Sequence, residues 1–169
     1  MPELYQFNEV TLESVHLAAI EGTSLVTLGR LESKLPVRVG LDGPSKADAS
    51  HATATGKAIL AWLPEPEIAR VIAEGGLKRY TDKTVQSIAV LMEELRHVRR
   101  NGYATDNEEF QPGVFCIGAA IRNQSGAVVG SISVSTPHIR ADKERVAQLS
   151  QLVMESSTAI SNQLGNPLM

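Results

Sequence analysis

The chain has 169 residues, 43% hydrophobic but only 4% aromatic, so one compact domain is expected, its core resting on Ala, Val, Ile and Leu. The net charge of −3 excludes nucleic-acid binding through an overall basic surface, and a single cysteine, Cys116, excludes an intrachain disulfide. No basic stretch leads into an apolar run at the N-terminus and no apolar stretch nears the roughly 20 residues that span a bilayer, so a cytoplasmic protein without membrane contact is expected.

The segment SVHLAAIEGTSLVTLGRLES predicts two strands around a turn at Glu21-Gly22. PVRV, residues 36 to 39, predicts a short strand, and GLDGPSKADAS a polar loop. Ala58, Ile59, Trp62 and Leu63 recur at helical spacing until Pro64. A second helix opens with Glu65 and Glu67, where the helix dipole favours acids, and stops at Gly75-Gly76. A third runs from about Ser87 to Arg100, with Ile88, Leu91, Met92, Leu95 and Val98 facing inward. An extended GYATDNEEF follows, then a hairpin around NQSG and a last helix from about Asp142 to Leu164. Strands, helices, strands, helix suggest an α+β layer fold with a largely antiparallel sheet.

HATATGKAIL, residues 51 to 60, imitates a phosphate loop, but the motif needs Gly where His51 stands and Ser or Thr where Ala58 stands. What survives is a helix start with small residues, Thr53 to Gly56, whose free N–H groups suit an anion such as a carboxylate. An ordinary helix start packed closely explains the same residues equally well. In the final hairpin the two-residue period puts Ser131, Ser133 and Ser135 on one face, and Cys116, Gly118 and Ala120 on one face of the partner strand. Small side chains and hydroxyls leave room for a polar ligand, although solvated serines would look the same. Cys116 has no base beside it in sequence and reads as a small buried hydrophobe. Asp106 is expected to point inward while Glu108 and Glu109 face solvent, and Lys57 to pack its stem and leave its amine at the surface. The four histidines show no metal-ligand spacing, so neither metal nor cofactor is expected.

Taken together, HATATGKAILAWL, LRHVRRNGYATDNEEFQPGVFCIGAAI, GAVVGSISVSTP and the closing amphipathic helix resemble the effector-binding domain of the IclR family of bacterial transcription regulators. LAAIEGTSLVTLGRLES is similar to that family's first hairpin, and the likeness covers about residues 10 to 165. The resemblance implies a GAF-like (profilin-like) α+β fold, a curved antiparallel sheet with helices on its faces. It implies residues 1–9 as the end of an interdomain connector and 10–169 as the effector-binding domain.

The resemblance also implies a pocket for a small anionic effector, an organic acid or a metabolite of aromatic catabolism. Its ligand-binding residues map to Ala54, Thr55 and Gly56 at the helix start, Asp106 after GYA, Val114 and Cys116 on a strand, and Ser133 and Ser135 on its neighbour. Val37, Val39 and Leu41 are further expected at the rim, although GLDGPSKADAS is unusually polar for the family and the proline common near Ala49 is absent. Homodimers or homotetramers are implied. Nothing resembles the family's winged helix-turn-helix, so operator DNA is expected to be bound only through a domain outside this sequence. Two alternatives stay open: a small Cys- or metal-dependent enzyme using Cys116, Asp106 and His51, and a dimerisation module with a vestigial pocket.

Overall fold

In a computed structural model, which describes residues 2–40 and 43–165, five strands form one antiparallel sheet with helices on both faces. The strands are β1 (Ser14–Glu21), β2 (Ser24–Leu31), β3 (Ala104–Asn107), β4 (Val114–Arg122) and β5 (Val128–Pro137), in spatial order β2-β1-β5-β4-β3. The helices are α1 (Pro2–Thr11), α2 (Ala54–Leu60), α3 (Glu65–Gly75), α4 (Ile88–Asn101) and α5 (Lys143–Gln163). The α+β, GAF-like class read from the sequence is the observed one.

Strand alternation sorts the sheet into two unlike faces. Val15 of β1, Phe115, Ile117, Ala119 and Ile121 of β4, and Ile132 and Val134 of β5 form the main core with α1 and α5, which contribute Leu4, Phe7, Leu149, Val153 and Ile160. The opposite face is made of smaller and more polar residues and carries α2, behind which α3 and α4 pack through Ile68, Val71, Leu91 and Leu95. This second face is where a cavity can form, because serine and cysteine side chains leave space beside the start of the helix.

The segment expected as the end of a connector forms α1, whose Leu4 and Phe7 are buried in the main core. PVRV is not a strand. Residues 36–39 form a loop held by side chains instead of a sheet partner: Ser14 Oγ donates to the Val39 carbonyl at 2.8 Å, and Arg140 donates to that of Val37. Val37 is 59% exposed and does not line the cavity described below, whereas Val39 does; Leu41 lies outside the described residues. The helix expected from Ser87 begins at Ile88, with Ser87 as its cap, and Ile88 is 60% exposed, not inward-facing. Asp142 likewise caps α5 by accepting from Arg145 N.

Candidate functional site

A cavity of about 300 Å³ lies between the α2 face of the sheet, the start of α2 and the loop at residues 43–47. Sheet register explains which side chains meet there. Asp106 pairs with Cys116, Cys116 with Ser135, and Ser135 with Ser14, forming one polar row across four strands. The next row runs Gly118, Ser133, His16, Arg30. Ala54, Thr55, Asp106, Val114, Cys116, Ser133 and Ser135 all line the cavity. The serines are buried, not solvated, and Cys116 Sγ lies 3.1 Å from Ser135 Oγ.

Gly56 requires a correction. It does not line the cavity, and its N–H is already taken by Thr53 Oγ1 at 3.1 Å, the cap of α2. Its small size serves packing: a Cβ there would sit 2.4 Å from Ser50 Cα. Gly118 acts similarly on the sheet side, where a Cβ would meet the Ala54 carbonyl at 2.9 Å. Ser131 Oγ donates to the Thr55 carbonyl at 2.9 Å, so that serine fixes the helix to the sheet. Ala54 and Thr55 are the first two helical residues, whose N–H groups have no acceptor within a helix.

Two further expectations fail together. Lys57 is 2% exposed and its Nζ donates to Glu109 Oε1 at 2.6 Å and Glu94 Oε2 at 3.1 Å. Glu109 is therefore buried, not solvent-facing, while Glu108 is half-buried and pairs with Lys83. Burial alone would lower the Lys57 ammonium, but Glu109 and Glu94 outweigh it and hold it above its ordinary range. Glu109 N also donates to Asp106 Oδ1 at 2.7 Å, so this ion pair and the cavity wall are one connected structure.

Burial first, and then the Glu109 charge, push the Asp106 carboxyl up to about 7. Burial, with the Asp106 charge behind it, pushes the Cys116 thiol up to about 12, which leaves it a protonated thiol and a poor nucleophile. His51 does not join these residues at the cavity; its Nε2 bonds the Lys78 carbonyl at 2.8 Å. Among the described residues no group of three or more His, Cys, Asp or Glu is placed to hold a metal.

Sequence reasoning missed three further residues that line the cavity, His16, Arg30 and Lys46. His16 is 7% exposed, and its Nδ1 is buried without a hydrogen-bond partner. Burial first, then the Lys46 and Arg30 cations, lower the imidazole to about 3, so the ring is neutral at physiological pH. The signal was the strand period: in SVHL the histidine alternates with Val15 and Leu17, which face the main core. The cavity wall thus carries hydroxyls, a carboxyl that is half-protonated near pH 7, a neutral imidazole and the side chains of Arg30 and Lys46, while its one thiol is held protonated.

The sequence matches the family described as "Bacterial transcriptional regulator IclR C-terminal" over residues 1–162. The HTH-type transcriptional regulator BhcR of Paracoccus denitrificans is 36% identical over 160 residues, covering 95% of this chain and 57% of its own length. The chain therefore spans a little over half of that curated relative. Among solved structures, the C-terminal domain of the Escherichia coli transcriptional regulator KdgR superposes with a TM-score of 0.85 at 29% identity, over 97% of this chain and 94% of that one. The inducer-binding domain of a PobR double mutant from Acinetobacter, in complex with 3-hydroxybenzoic acid, shares the fold at a TM-score of 0.79 and 23% identity, over 96% of this chain and 95% of that one. The family match over residues 1–162 makes this chain a member of the IclR C-terminal domain family of bacterial transcriptional regulators.

Proposed function

We propose that this domain is a ligand sensor whose cavity binds a small organic acid, and that binding modulates operator-DNA affinity of a full-length regulator. The carrying observation is the cavity itself, a polar space with hydrogen-bonding walls and basic side chains in its lining. The acid's carboxylate sits at the N–H groups of Ala54 and Thr55, and Ser133, Ser135 and Asp106 hydrogen-bond its other oxygens, with Val114 and Cys116 as apolar walls. An aromatic acid bound in the PobR domain supports this class of ligand. Regulation follows only if the acid prefers one arrangement of a dimer or tetramer over another, because a ligand shifts an equilibrium by its differential affinity alone. DNA contact belongs to a winged helix-turn-helix outside residues 1–169.

Calorimetric titration with small carboxylic acids at pH 6 and pH 8 tests the reading. The expected result is binding that weakens as pH rises through about 7, because ionised Asp106 repels a carboxylate that its protonated form would meet with a hydrogen bond. Asp106→Asn should flatten that dependence. Absence of binding by every acid at either pH removes the sensor reading.

A further inference from the structure

We infer that the His16 end of the cavity is a second acid-binding subsite, which makes the preferred ligand a short dicarboxylate held at both ends. This rests on the sensor reading above. The first support is geometric. His16 lies directly opposite Ser133 on the adjacent strand, with Arg30 opposite His16 on the next. Paired residues on adjacent strands stand roughly 4.5–5.5 Å apart, which a carbon chain of a few atoms bridges. An acid anchored by Ser133 and the start of α2 therefore reaches His16 without leaving the cavity.

The second support is an unmet bond. A buried polar atom without a partner is costly and rare in a native interior, and His16 Nδ1 is one. The third is charge. Lys46 also lines the cavity, its charge acts on His16, and among the described residues no carboxylate pairs with it; its ammonium lies 5.7 Å from the centre of the Phe110 ring. A partly desolvated cation facing a cavity calls for an anion. At the far end Asp106 balances no such charge at pH 6, because its carboxyl is mostly protonated there. At about 300 Å³ the cavity stands at the small end of ligand pockets, so the chain between the two acids must be short.

The test compares acids of equal carbon number, succinate against butyrate and glutarate against pentanoate, by calorimetry on the 169-residue chain at pH 6. The readout is the ratio of the two affinities within each pair. The wild-type chain should prefer the dicarboxylate by roughly ten- to a hundredfold, the scale of a charge-assisted hydrogen bond. His16→Leu and Lys46→Gln should each bring the ratio towards one. Lys46 lies half-buried in a loop outside the core, so its variant carries the test if His16→Leu does not fold. Equal wild-type affinities within a pair, or a ratio unchanged in the variants that fold, overturn the second subsite while leaving the sensor reading intact. Failure of all four acids to bind overturns the subsite as well, whereas the sensor reading falls only if the wider panel of acids also fails.

Discussion

Buried titratable groups set the character of the site, and two of them oppose each other in the pH dependence of stability. In the unfolded chain Asp106 ionises near its ordinary value of 3.8, but in the fold only near about 7, so between these values stability falls as pH rises. His16 carries the opposite sign. Unfolded, it is protonated below 6.5, and folded it stays neutral down to about 3, so stability falls as pH drops through that window. Across roughly pH 4 to 6.5 the two contributions offset, each with a slope of up to about 1.4 kcal/mol per pH unit. Urea unfolding at pH 4.5, 5.5 and 6.5 should show Asp106→Asn gaining stability with rising pH relative to wild type, and His16→Asn losing it. Variant curves parallel to wild type would contradict both assignments. Asp106 was legible in the sequence because a motif carried it. His16 was not, because weighing histidines by metal spacing overlooks the two-residue strand period. Lys57 and Glu109 escaped for another reason: they stand 52 positions apart, and only the fold brings them together.

At the scale of elements, periodicity located what it could measure. The long stripes of α4 and α5 and the alternation of β4 and β5 were plain, and the caps Ser87 and Asp142 mark their starts to within a residue. Short segments were harder. PVRV alternates like a strand, but no neighbouring strand offers it hydrogen bonds, and side chains hold it as a loop. In α1, Leu4, Phe7 and Thr11 share a buried stripe, yet exposed Tyr5 and Val10 blur it. Packing makes α1 part of the domain's core, with Phe7 2% exposed. Phe7→Ala should therefore cost about 3–5 kcal/mol in urea unfolding, the scale of a large buried side chain removed from a core. A change below about 0.5 kcal/mol, as expected at an exposed site, would show α1 to be detached in solution.

The whole molecule separates two tasks between the faces of one sheet. The α1 and α5 face is filled with large aliphatic side chains and holds the fold together. On the α2 face Gly118 lets the helix approach closely, while Cys116, Ser133 and Ser135 leave space that becomes a cavity roofed by the start of α2 and the loop at residues 43–47. Four stretches far apart in sequence read as one site because the strand order places β4 and β5 side by side, β3 beyond them and β1 against β5. The basic lining residues stayed hidden because Lys46 sits in a polar loop without a period, and Arg30 on an edge strand. Sensing is the central claim, and a crystal structure of the domain with a small carboxylic acid bound tests it most directly. The expected result is carboxylate density between the N–H groups of Ala54 and Thr55 and the Ser133 hydroxyl. A cavity closed by its own side chains, with the acid found only on the outer surface, would contradict it.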